Sequence, residues 1–267
     1  MRAIAVVLVV GVGLSGIGQG VVGGDILFDL ATAPRSVGMG GAGIALPSNG
    51  ALFMNPAGLP WVEGVQLLSS YGDQFGAARL GLVAVAVPGI AAAGIVLDAG
   101  EIGPDLSFRT AGALLGIGVR LGPLGAGART RVLVPIAPVP GVGGALDLAF
   151  LWRGPIHLGA MWKGVFSQAP VAGETWPSQL VVGFALPLEL GPVTLALACD
   201  LLDLGGDTAF AAGGELGMEW LLVRAGYGPS GLAFGGTVRW GPFGVEWVIL
   251  VHPVLPPAVR VSFAVRI

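Results

Sequence analysis

The chain has 267 residues, 54% of them hydrophobic and only 11% charged, with a net charge of −3 and a mean hydropathy of +0.84. Soluble domains are about 25% charged, so this composition excludes a water-solvated globule and points to a chain embedded in lipid. Lys163 is the only lysine, which excludes a polybasic lipid-binding arm, and nothing in the charge balance offers a surface for nucleic acid.

The chain opens with Met1-Arg2, an apolar run from Ala3 to Leu14, and the small residues Ser15 to Gly20. This is the pattern of a secretion signal, with a positive start, an apolar core and a small-residue cleavage zone. The run is short for a spanning helix, which needs about 20 residues. Residues 1–20 are therefore expected to be removed on export.

Residues 21–63 hold the stretch around which the rest is arranged, Pro34 to Leu59. Its first signal, Gly38-Met39-Gly40-Gly41-Ala42-Gly43, matches the letters of a dinucleotide fingerprint. That fingerprint has meaning only between a strand and a helix of a βαβ unit. The preceding Ala31 to Ser36 is no buried strand, so closely spaced glycines, free to take positive φ and pack tightly, are the better reading. The second signal is Asn55-Pro56-Ala57-Gly58-Leu59. Asn can bond its own backbone and Pro fixes the next φ, so a turn that shapes the segment and a gating element both remain open. The segment is expected to form a plug inside a barrel built from residues 64–267.

From residue 64 to 267 the chain is a series of short apolar runs broken by Gly and Pro. Membrane helices fit poorly: Leu80 to Leu97 is cut by Pro88-Gly89, and Leu180 to Ala198 holds Pro187, Glu189, Gly191 and Pro192. Candidate hairpin turns recur at Gly72-Asp73, Pro88-Gly89, Gly100 to Pro104, Gly122-Pro123, Pro138 to Gly141, Gly154-Pro155, Gly191-Pro192, Gly205-Gly206, Gly228 to Gly231 and Gly241-Pro242. In lipid every backbone polar group must be bonded internally, so a β protein has to close into a barrel. At roughly 14–15 residues per strand and turn, residues 64–267 make a transmembrane antiparallel β-barrel of about 14 strands. The fold class is all-β.

Period-2 alternation gives the sides. Val259, Val261, Phe263, Val265 and Ile267 alternate with Arg260, Ser262, Ala264 and Arg266; similar sets run through Leu146 to Trp152, Ile156 to Lys163 and Val245 to Val251. In Leu80 to Val87 both faces are apolar and no side can be assigned. Trp152 and Trp240 stand just before turns, where Trp rings favour the headgroup level. The alternation collects Arg129, Arg131, Asp147, His157, Lys163, Asp200, Glu219, Arg239, Glu246, Arg260 and Arg266 on the lumen side. A lipid-facing Arg near the midplane costs about 2–4 kcal/mol, which by itself explains the sorting. The sharper alternative is a network that holds the plug and lines a narrow polar path.

Catalysis has little to work with. His157 and His252 are the only histidines, and no Cys/His cluster has metal-ligand spacing. Neither a nucleophile with its base nor a cofactor site is expected, and Cys199, the single cysteine, reads as a small packing residue.

The run from Phe28 to Pro60 resembles the N-terminal signature of the FadL-like outer-membrane channels, most closely their PorV/PorQ-type branch. The matching residues are Arg35, Gly38 to Ala42, and Asn55 to Leu59. Weaker matches follow in order: Leu146 to Leu148, Gly217 to Trp220, Val223 to Tyr227, and Arg260 to Ile267. The resemblance implies a 14-stranded barrel with an N-terminal hatch carrying the N-P-A motif at Asn55, Pro56 and Ala57. It implies residence in the bacterial outer membrane, contact with lipid, and insertion by the barrel-assembly machinery through the last strand. Short loops, with Phe166 to Ser178 the longest, and a terminal Ile267 in place of an aromatic depart from the pattern. Passive transport of small hydrophobic molecules is the leading expectation, with plug residues Ile44, Leu46, Leu52, Phe53 and Met54 either lining a pocket or simply forming the plug core. An accessory barrel working with secretion-system proteins or surface attachment, and a purely structural barrel, stay open.

Overall fold

The computed structural model describes residues 21–22, 26–46, 50–104, 106–138 and 140–267; the leader expected over residues 1–20 lies outside them. The barrel strands, numbered in chain order, are β1 (Gln66–Gln74), β2 (Ala78–Val87), β3 (Ile90–Gly103), β4 (Leu106–Leu121), β5 (Leu124–Ala137), β6 (Gly143–Arg153), β7 (His157–Gln168), β8 (Gln179–Leu190), β9 (Val193–Leu202), β10 (Ala209–Gly217), β11 (Leu221–Gly228), β12 (Gly231–Trp240), β13 (Phe243–Val251) and β14 (Ala258–Arg266). Each pairs antiparallel with its sequence neighbour, and β14 closes on β1 with Val259 opposite Asp73 and Arg266 opposite Gln66. The result is a closed barrel of 14 strands. Closure leaves no unpaired strand edge. No helix among the described residues is long and apolar enough to cross a membrane.

Alternation sorts side chains as the period-2 reading requires. On β13, Glu246 and Val248 are buried while Trp247 and Ile249 are exposed; on β14, Arg260 and Ser262 are buried while Val261 and Phe263 are exposed. The ambiguous run now has sides: Leu80, Leu82, Ala84 and Ala86 of β2 point inward, and Val83 and Val85 outward. The outer face is thus a continuous cover of large apolar side chains.

The two ends differ. At the end holding Gly64 and Ile267, hairpins such as Pro88-Gly89, Gly122-Pro123, Gly191-Pro192 and Gly241-Pro242 take two residues each. The other end carries the longer connections Ala169–Ser178, Asp203–Thr208 and His252–Pro257. Three turn assignments need correction. Gly72-Asp73 is inside β1, and the chain turns at Phe75–Ala77. A side chain at Gly72 would press on the backbone of Val259 and Arg260, so its glycine serves strand packing. Gly100 likewise lies within β3, which bulges there and runs on to Gly103. In the long loop, β7 continues to Gln168, and Glu174–Thr175 pairs in parallel with Val21–Val22.

Before β1 the chain forms short pieces: α1 (Ile26–Leu30), α2 (Pro34–Gly38), α3 (Ala51–Met54) and a 3₁₀ turn over Pro56–Trp61. They rest on opposite inner walls. Helix α2 lies against β11 to β14, and the 3₁₀ turn against β3 to β6. The wall is glycine where the contact is closest. Any side chain at Gly118, Gly125 or Gly127 would overlap the Pro56-Ala57 backbone, and any at Gly213 or Gly226 would overlap Met39. Much of the glycine content therefore makes room for backbone inside the barrel, not only for turns.

Candidate functional site

Two cavities flank the N-terminal segment, one at each end of the barrel. The larger, about 520 Å3, opens among the longer loops and reaches Gln74, Phe75, Asp203, Asp207, Pro229 and Ser230. The smaller, about 280 Å3, lies at the short-turn end and reaches Gln66, Leu67 and Arg266. Helix α2 stands between them: Pro34 and Arg35 border the smaller cavity, Ser36 and Val37 the larger.

The segment is held by inward charges of the wall. Arg129 of β5 donates from Nη1 to the carbonyls of Leu52 (3.0 Å) and Phe53 (2.5 Å), closing the C-terminal end of α3. Its Nε and Nη2 donate to Asp147 Oδ2 at 2.9 and 2.7 Å. The other oxygen of Asp147 accepts from Arg131 Nη2 at 3.0 Å and from the Gly164 amide at 2.8 Å. Arg131 also lies over the rings of Phe28 and Trp176. Trp176, within the long loop after β7, is buried by this packing. A carboxylate buried as fully as Asp147 needs both oxygens bonded in this way to offset desolvation.

Arg260 of β14 donates to the carbonyls of Leu30 and Thr32 at 2.6 and 2.7 Å. Asp200 of β9 accepts from the amides of Gly43 and Ile44 at 2.7 and 2.9 Å. Lys163 meets Asp29 at 2.9 Å. Each joins a different strand to the segment.

The Asn55 turn does more than shape the chain locally. Asn55 Oδ1 accepts from the Ala57 amide at 3.0 Å, capping the 3₁₀ turn. Its Nδ2 donates to Ile44 O at 2.7 Å and to Phe150 O of β6 at 3.0 Å. One side chain thus ties two parts of the segment to the wall. Pro56, Ala57 and Gly58 are buried with it against that wall and line neither cavity.

The glycine run behaves as conformational freedom demands. Gly40 and Gly41 have φ of +72° and +95°, a region L side chains avoid. Gly40 abuts the Tyr227 backbone of β11. Gly38 and Met39 are buried beside it, and Gly40 and Gly41 border the larger cavity.

The residues expected in the lumen divide into groups. Arg129 and Arg260 border the larger cavity, Arg239 and Glu246 the smaller, and Arg131 and Asp147 sit in the wall between segment and strands. Glu219 is corrected: it lies exposed in the turn after β10. The inward carboxylate of that strand is Glu215, which sequence reasoning missed. Glu215 takes a forked pair from Arg35 (Nη2 to Oε1 2.7 Å, Nε to Oε2 3.1 Å) and a further bond from Arg224 of β11. Arg224 then reaches Thr237 Oγ1 at 2.8 Å. Glu215 and Glu219 share parity, so alternation alone cannot choose between them; the end of β10 at Gly217 does.

No protein-family model matches the chain, and no curated protein matches it. Solved structures do. The monoaromatic hydrocarbon channel TodX, as a deltaS2 mutant, is similar at a TM-score of 0.62 and 14% identity, over 91% of this chain and 100% of that one. The monoaromatic hydrocarbon channel CymD is similar at 0.62 and 12% identity, over 89% and 98%. The Acinetobacter baumannii outer membrane protein Omp33 is similar at 0.52 and 9% identity, over 76% and 98%. At these identities the likeness is one of fold.

Proposed function

We propose that the protein is a bacterial outer-membrane channel of the FadL-like kind, with residues 21–63 as plug and 64–267 as barrel, that admits small hydrophobic molecules passively. The larger cavity carries this reading. It lies between segment and wall and is faced by Phe28, Ile44, Phe53, Met54, Val181 and Val248. Ile44 and Phe53 are thereby pocket residues as well as plug core, Met54 lines the pocket, and Leu46 and Leu52 are core alone. The apolar outer face supports placement in lipid, and Trp152, Trp220 and Trp240, gathered at the short-turn end, suit a headgroup belt. The fold shared with hydrocarbon channels supports the cargo class. In this reading a solute enters among the longer loops and is stopped at α2. Breaking the Arg35–Glu215 pair opens the way onward.

The test is mass spectrometry of the barrel purified gently from its native membrane, scoring small molecules and proteins together. A stoichiometric apolar molecule that is lost in Leu202→Trp, which narrows the larger cavity, is the expected result. An empty barrel carrying a stoichiometric secretion component would replace this reading with the accessory one.

A further inference from the structure

The smaller cavity is built for a different ligand. Its charged side carries four guanidinium groups, Arg35, Arg224, Arg239 and Arg266, against two carboxylates, Glu215 and Glu246. Glu215 is already shared by Arg35 and Arg224. Arg224 is buried, and its Nη1 donates to no acceptor within hydrogen-bond distance; Glu246 Oε2 stands 3.8 Å from it. A buried guanidinium N–H left in this state is costly. The part of the lining on β1 and β2 is apolar, formed of Leu68, Ala84 and Ala86, with Ala264 of β14 beside it. Compare the larger cavity, where both signs are mixed: Arg129, Lys163 and Arg260 face Asp29, Asp200, Asp203 and Asp207. Only the smaller one has an excess of cations beside a compact apolar wall.

We propose that the short-turn cavity binds a small organic carboxylate, its charged end on the Arg224 and Arg239 side and its apolar body against Ala84, Ala86 and Leu68. Guanidinium matches carboxylate in a planar fork, which a point charge does not. The volume of about 280 Å3 lies at the low end of small-molecule sites and limits the body to about one ring. The site is separate from the larger cavity, with α2 between them, and does not depend on what that cavity admits.

Benzoate is the probe, titrated by calorimetry into the purified full-length barrel in a neutral detergent at fixed ionic strength. Toluene, benzylammonium and inorganic phosphate serve as comparisons for body, charge sign and bare anion. One benzoate should bind per barrel, phosphate about tenfold or more weakly, and benzylammonium not at all. Arg239→Gln should weaken benzoate at least about tenfold, Arg239→Lys should keep part of the affinity, and Ala86→Leu should abolish binding by filling the apolar side. Circular dichroism and heat-modified gel migration check that each variant keeps the barrel. Four results would overturn the proposal: no saturable benzoate binding; toluene binding at this site as well as benzoate; a folded Arg239→Gln with unchanged affinity; or loss of benzoate only on Arg260→Gln, which would move the site to the larger cavity.

Discussion

Two clusters of inward charge use the same residue types to opposite ends. Around Asp147, two arginines and a backbone amide saturate one carboxylate, and Arg129 spends its remaining N–H on the end of α3. Neither of the two cavities described above touches Asp147 or Arg131. Around Glu215, one carboxylate is shared by Arg35 and Arg224, further cations stand nearby, and a cavity opens beside them. The first is a clamp, closed and dehydrated. The second is an unfinished network beside α2, which stands between the two cavities. Inward charge in this barrel is thus not a single class: local pairing decides how far each charged group is spent on holding the chain.

The largest expected effect lies in the clamp. Asp147→Ala leaves Arg129 and Arg131 without the carboxylate they share, and removal of one buried partner costs about 3–5 kcal/mol. The thermal midpoint of heat-modified migration should fall sharply, while Glu246→Ala in the open cluster moves it far less. Equal losses at both positions would erase the distinction. Next come the contact glycines. Gly226→Ala drives a methyl into Met39 and Gly40, whereas Gly94→Ala meets nothing within 4 Å. The first should lose about 1–3 kcal/mol by overpacking and make the N-terminal segment protease-sensitive; the second should do neither.

Arg35→Ala sharpens the comparison from the other side. It removes a charged fork, about 1.5–3 kcal/mol by the range for hydrogen bonds to ionised groups, yet Arg224 still holds Glu215. Stability should drop modestly while ion conductance across a planar bilayer rises, because α2 separates the two cavities. A silent conductance with the stability loss would leave the pair as mere anchoring. The smallest effect is at Asn55. Asn55→Ala removes the cap on the 3₁₀ turn, a loss of about 0.5–2 kcal/mol, and frees Ile44 from Phe150. Protection of the Ala57 amide from hydrogen exchange should fall with it.

Legibility in the sequence followed the chemistry of each strand. On β14, large apolar residues alternate with Arg260, Ser262, Ala264 and Arg266, so both sides could be read directly. On β10, Ala and Gly at Ala211, Ala212, Gly213 and Gly214 carry no polarity signal, and nothing local favours Glu215 over Glu219. The run Leu80 to Val87 is ambiguous for a related reason: its inward side packs on apolar segment and wall residues, so both faces must be apolar. The glycines of β4, β5 and β11 are invisible as contacts because their partners, Met39, Pro56 and Ala57, lie scores of residues away.

The sequence by itself determined an all-β chain of alternating strands, a lipid-compatible exterior and a glycine-rich stretch at Gly38 to Gly43 that needs positive φ. These depend on local periodicity and backbone preference, which neighbours in the chain report. Tertiary structure alone decided which arginine meets which carboxylate and where the wall gives up its side chains to admit backbone. It also decided that α2 divides the interior into a space where charges of both signs mix with apolar side chains and a space with an excess of cations. Those outcomes arise from barrel closure, which brings β14 to β1 and sets residues 180 positions apart, such as Arg35 and Glu215, within 2.7 Å.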